Sequence, residues 1–160
     1  MAVDRFYLCS GVFIAHIRGD EEHSAASSDL LLAAREGHFV LHTSFLTMTE
    51  VLASERSRVR RTKDGEAKIT ELMDADYIVY SAVEQLVAET SRFVNWDYQI
   101  KAADAVHVAT AIKRDCVRFY TTDKPLQSNS GASNGRVILP EIRFPEHISR
   151  QTSLPFASSE

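Results

Sequence analysis

Short apolar runs alternate with stretches of helical spacing along nearly the whole chain, and no hairpin signal joins two runs directly. Antiparallel neighbours can be linked by a two-residue turn, whereas parallel neighbours need a crossover, usually a helix. The alternation therefore predicts an α/β domain with a mostly parallel five-stranded sheet and helices on both faces. Phe6–Leu8 reads as the first strand. It runs into helical spacing over Ser10–Ile17 that breaks at Gly19. Glu21–Arg35 reads as a helix with acids in its first turn, an apolar stripe of Leu30, Leu31 and Ala34, and Gly37 past its end. Phe39–Leu41 is the second predicted strand. Ser44 is a candidate cap for a helix from Phe45 to about Ala53, on which Leu46 and Val51 face the core and Glu50 does not. Further helices are expected after Gly65 through about Met73, over Ala82–Phe93 (Val83, Leu86, Val87 and Thr90 on one face) and over Ile100–Arg114. Tyr77–Tyr80, Arg118–Thr121 and Arg136–Leu139 complete the strands. The polar, turn-rich segment 128–135 is expected to be mobile.

A chain of 160 residues points to one domain, read as residues 1–145, followed by a tail over 146–160. The last ten residues lack periodicity and are expected to be disordered. The net charge of −4 excludes a generally basic nucleic-acid coat, so any nucleic-acid contact must come from a local patch. The two cysteines, Cys9 and Cys116, have no metal-type spacing and form no disulfide framework, which suits a reducing cytoplasm. No apolar run approaches the roughly 20 residues of a membrane span, and no secretory signal precedes the first strand.

Three acids stand where strands end or helices begin: Glu50 in Thr43–Leu52, Asp104 in Ala102–Ala111, and Asp123 closing Phe119–Asp123. In an open parallel sheet, ligands bind at the carboxyl ends of the strands, so one cleft can collect all three. Taken singly, each acid is equally well a helix cap or a surface charge. Taken together, clustered carboxylates repel one another, and a bound cation relieves that cost. Hard oxygen ligands suit Mg²⁺ or Mn²⁺. Such an ion lowers the pKa of a bound water and stabilises charge on a phosphoryl group, which makes a phosphodiester the natural substrate.

The segments 6–14, 43–52, 101–111 and 119–123 resemble the four signature blocks of PIN-domain nucleases, and the nearest subgroup is the VapC type of bacterial toxin. Asp-Ala-Val-His-Val-Ala-Thr-Ala (104–111) is the most specific block, and Thr-Thr-Asp (121–123) the next. The resemblance covers residues 5 to 140 or so. It implies a three-layer PIN-like fold and a Mg²⁺- or Mn²⁺-dependent endoribonuclease, often a homodimer and often held inactive by an antitoxin. Glu50, Asp104 and Asp123 match the family's catalytic, metal-binding acids. Thr121 matches its hydroxyl residue, and Ser10 the small polar residue after the first acid. Two positions depart from the pattern. Cys9 stands where the first acid is usual, and Gly11 where an Asn is usual. A neutral thiol is a poor ligand for a hard cation. A second reading follows, in which a degenerate PIN domain binds RNA or protein without efficient cleavage. A receiver-type domain is disfavoured, because Cys9 occupies the region where its first-strand acids belong.

His107, one turn after Asp104, reads as a packed or supporting residue, Cys9 as a replacement rather than a nucleophile, and Cys116 as structural. The basic run Arg56–Lys63 follows the Glu50 helix, and within it Arg60 and Arg61 are candidate RNA contacts. Lys124, next to Asp123, is the better-placed phosphate contact.

Overall fold

The computed structural model describes residues 2–150. Strands and helices alternate in them as β1 (Arg5–Leu8), α1 (Ser10–Arg18), α2 (Ser24–Arg35), β2 (Val40–Ser44), α3 (Leu46–Glu50) and α4 (Lys63–Met73). There follow β3 (Ile78–Ser81), α5 (Gln85–Tyr98), α6 (Ala102–Lys113), β4 (Arg118–Tyr120), α7 (Lys124–Gln127) and β5 (Glu141–Arg143). All strand pairings are parallel, in the order β3-β2-β1-β4-β5. The central strand β1 pairs Tyr7 with His42 on one side and with Phe119 on the other. Its residues Phe6, Tyr7 and Leu8 are all buried, the continuous apolar run expected of a parallel strand covered on both faces. On one face Tyr7 stacks on Phe119 at 5.0 Å and reaches His107 of α6. On the other, Phe6 packs against Phe39 at 4.6 Å and Tyr120 at 5.7 Å. No helix among the described residues is long and apolar enough to cross a membrane.

Several expected boundaries move, each for a local reason. α2 starts at Ser24 because Ser24 and Glu21 bond each other in a turn, which leaves the acids outside the first turn. β2 continues to Ser44, which pairs with Ser81, yet Ser44 Oγ still accepts the Leu46 amide at 3.1 Å. α3 stops at Glu50, since Val51 leaves helical geometry with ψ 83°. α5 buries Val87, Thr90, Val94 and Tyr98, while Val83 and Leu86, expected on the packed face, are exposed.

The fifth strand is Glu141–Arg143 rather than Arg136–Leu139. The chain at 128–139 is instead drawn into the end of α5. The Tyr98 hydroxyl donates to the carbonyls of Ala132 and Val137 and accepts the Gly135 amide. Gly131 N–H bonds Pro140, and Ser130 Oγ accepts the Ile142 amide. The segment 128–135 is thus tied down where mobility was expected. Of the tail expected over 146–160, residues 151–160 lie outside the described residues. Glu146, Ile148 and Arg150 fasten its first part to Tyr120 and to Asp29 and Glu36 of α2.

Candidate active site

The chain leaves β1 toward β2 and β3, then returns across the sheet to lay β4 on the other side of β1. The carboxyl ends of β1 and β4 are therefore a switch point, where such sheets open a crevice. The Cys9 amide, bonded to Tyr120 O at 3.1 Å, holds the two strand ends together. Cys9 follows β1, and Thr121 to Asp123 follow β4. Asp104 enters from the first turn of α6 and Glu50 from the end of α3.

A cavity of about 150 Å³ opens here, lined by Gln99, Lys101, Asp104, Asp123, Leu126 and Asn129. Two of the three acids expected to meet thus share one wall. Burial, then the charges of Asp123 and Glu50, raise the Asp104 carboxyl above its ordinary value, while His107 and Lys101 oppose the rise. Asp123 and Glu50 therefore both lie within electrostatic reach of Asp104. Asp123 also caps α7. Its Oδ2 accepts the Leu126 amide at 3.0 Å, and its own amide donates to Thr121 Oγ1 at 3.0 Å. The bland reading of Asp123 as a helix cap and the reading as a cleft acid thus describe one side chain.

Glu50 is held differently. His107, 1% exposed, bonds the Glu50 carboxylate through Nε2 and lies 2.6 Å from the Tyr7 hydroxyl through Nδ1. Burial pushes the Glu50 carboxyl up, but His107, Ser10 and Arg56 together outweigh it, and the net shift is downward. Tyr7 and Arg56 are site residues that sequence reasoning did not place. Arg56 was visible only as one member of a basic run.

Cys9 is buried, and burial raises its thiol above the ordinary value, against the pull of Thr121 and the α1 amides of Gly11 and Val12. It is held as the neutral thiol. A Cβ built at Gly11 would stand 2.5 Å from Thr122 Oγ1 and 3.7 Å from Cys9 Sγ. The Thr122 hydroxyl thus fills the space that a side chain at position 11 would need. Lys124 is exposed beside Asp123. Arg60 and Arg61 line a separate concavity with Arg58 and Glu55, which shares no lining residue with the carboxylate cavity.

Among the described residues, no three Asp, Glu, His or Cys side chains converge as a ready-made ligand set. Mg²⁺, however, is commonly held by one or two carboxylates together with waters and substrate phosphate. The Asp104 and Asp123 pair, with Asp104 destabilised by its neighbours, fits that donor set.

Fold and cleft define an all-parallel α/β domain with an acidic crevice at its switch point. The PIN domain family profile matches residues 7–131, and the chain belongs to that family. Its fold is also that of several solved structures. A toxin–antitoxin complex from Klebsiella pneumoniae matches at 16% identity over 89% of this chain and 98% of that one, with a TM-score of 0.59. The Sarcin-Ricin loop cleaving toxin VapC20 from Mycobacterium tuberculosis matches at 12% identity over 77% and 93%, with a TM-score of 0.59. VapBC2 from Rickettsia felis, bound to a DNA fragment from their promoter, matches at 11% identity over 88% and 98%, with a TM-score of 0.62. A search of curated proteins by sequence gives no match.

Proposed function

We propose that this protein is a Mg²⁺- or Mn²⁺-dependent endoribonuclease that hydrolyses RNA phosphodiesters as the toxin of a toxin–antitoxin pair. The observation that carries the reading is the convergence of Asp104 and Asp123 on one cavity at the switch point, with Glu50 close enough to raise the Asp104 carboxyl. Asp104 and Asp123 are the residues that would hold the cation, with Glu50 contributing directly or through water. The ion, when bound, lowers the pKa of a water and offsets charge developing on the phosphoryl group. Thr121 fixes the backbone of Asp123, and Ser10 lends its hydroxyl to Glu50. Lys124, Lys101 and Arg56 are the cations set to meet RNA phosphates, with Arg60 and Arg61 further along the strand's path. The antitoxin partner is supported by the toxin–antitoxin complexes that share the fold. A homodimer is part of the same proposal. Two unpaired cysteines suit a cytoplasmic location.

A second reading, a PIN domain that binds RNA or protein without efficient cleavage, is favoured by the neutral Cys9 thiol and by the space lost at Gly11. Cleavage of a structured RNA with Mn²⁺ separates the two. Cleavage by the unaltered chain that Asp104→Asn abolishes supports the enzyme. Cleavage only after Cys9→Asp supports the binding module. The same variants are melted with and without millimolar Mn²⁺. Without metal, Asp104→Asn is expected to raise Tm, because it removes a repelled charge. It is also expected to abolish the stabilisation by Mn²⁺, which reaches ~2.7 kcal/mol at a hundredfold excess over Kd.

A further inference from the structure

Behind Glu50 of α3, one of the acids of the proposed reaction, stand two buried polar side chains that the reaction itself does not use, Tyr7 of β1 and His107 of α6. His107 is 1% exposed and Tyr7 fully buried, so neither side chain exchanges partners with water. An imidazole in this position has one ring nitrogen for each neighbour. A carboxylate can only accept, so the nitrogen facing Glu50 must carry a proton. A neutral ring then presents Nδ1 as an acceptor, and the Tyr7 hydroxyl, 2.6 Å away, is the donor that meets it. The Tyr7 phenol is raised well above its ordinary value, chiefly by burial, and keeps its proton. A hydrogen bond at one ring nitrogen sets which nitrogen is protonated, and so sets what the other presents.

We infer that His107 is the positioning residue for Glu50, held by the Tyr7 hydroxyl with its Nε2–H toward the Glu50 carboxylate, so that it donates to that carboxylate and fixes the direction in which it faces the cleft. The inference rests on Glu50 being one of the site's acids. Geometry supports it independently of the chemistry at Cys9. α3 is only five residues long and ends at Glu50, where the backbone leaves the helix. Such an element cannot itself fix a terminal glutamate. α6, packed between α5 and β2, can. The chain links the central strand to the tip of α3, so the sheet core sets the aim of a side chain that local structure leaves loose.

The test begins with metal-free protein carrying ¹⁵N-histidine. Long-range ¹H–¹⁵N correlations, with the His107 signals assigned by their loss in His107→Gln, report the tautomer directly. The expected result is a single Nε2–H tautomer in the unaltered chain and a loss of that single state in Tyr7→Phe. An Nδ1–H ring, a doubly protonated ring, or a tautomer unmoved by Tyr7→Phe overturns the inference. Cleavage supplies the second arm, measured in whichever background cleaves RNA, unaltered or Cys9→Asp. His107→Ala is expected to lower kcat by roughly 10–100-fold, the usual loss when a partner that orients a ligand is removed. His107→Gln, whose amide reaches the position of Nε2, should restore most of it. Equal kcat in His107→Ala and its parent overturns the inference, as does a His107→Gln variant no better than His107→Ala at the same thermal stability. If no background cleaves, the nuclease reading fails, and the tautomer measurement still decides the role of His107.

Discussion

At Gly11 the absence of a side chain is matched by a neighbour. The Thr122 hydroxyl stands 2.5 Å from where a Cβ would be, so the two positions form one packing unit across the ends of β1 and β4. Gly11→Ala is expected to destabilise the protein by about 1 kcal/mol, the lower end of overpacking costs, because the threonine must rotate or shift. In a Thr122→Ala background the same change should be nearly neutral. Urea denaturation of the four members of this cycle checks the coupling, and additive effects would show the two sites to be independent. The places of residues 9, 11, 50, 104 and 123 at or near the ends of strands and helices were legible in the sequence, because the local pattern of each element is clear. The partnership of His107 was not. Its two contacts come from 57 and 100 residues away, and no local periodicity carries such information. The Thr122 contact was hidden for the same reason.

α5 and the segment it captures show where element-level reading fails. Asp97, near the end of α5, receives Arg136 Nε at 3.0 Å and Nη2 at 2.7 Å, a two-pronged contact that also takes in the Arg136 amide. The guanidinium lies 4.3 Å over the Phe93 ring as well. These contacts, with the Tyr98 hydroxyl, draw 132–137 onto α5 and delay the fifth strand to Glu141. Arg136–Leu139 has the composition of a strand, but tertiary partners claim it first. The Arg136 contact holds the Asp97 carboxyl down at about 2, below the ~3.9 of an unfolded aspartate. A lowered folded-state pKa means stabilisation that is complete above the unfolded value and lost as pH falls through the folded one. Asp97→Asn should therefore destabilise the protein near neutral pH, with the difference closing between about pH 4 and pH 2. Denaturant midpoints across that range test the sign. A difference that persists at pH 2 would assign the effect to packing rather than charge. Strand order and the helical scaffold, by contrast, follow from the alternation of elements, and β1 to β4 lie within a few residues of where the apolar runs place them.

For the whole molecule, a net charge of −4 sets how RNA, the proposed substrate, would have to be held. The cations beside the acidic cleft are few: Lys101, Lys124 and Arg56. Single-stranded nucleic acid gives a salt slope of about −0.7 per neutralised phosphate. Three such contacts predict a slope of log Kobs against log salt near −2, measured by anisotropy with an Asp104→Asn variant. A slope of −4 or steeper would bring in the basic segment 56–63, including Arg60 and Arg61, and widen the footprint accordingly.

Asp104 and Asp123 come to line one cleft only because β4 is laid beside β1. A nascent chain that ends before residue 123 has the first acids but nowhere to assemble them. Long-range parallel pairing is also among the slower events of folding. On the proposed nuclease reading, the order of the strands is a safety interlock during synthesis: no assembled cleft exists until most of the length of the chain has been made and folded.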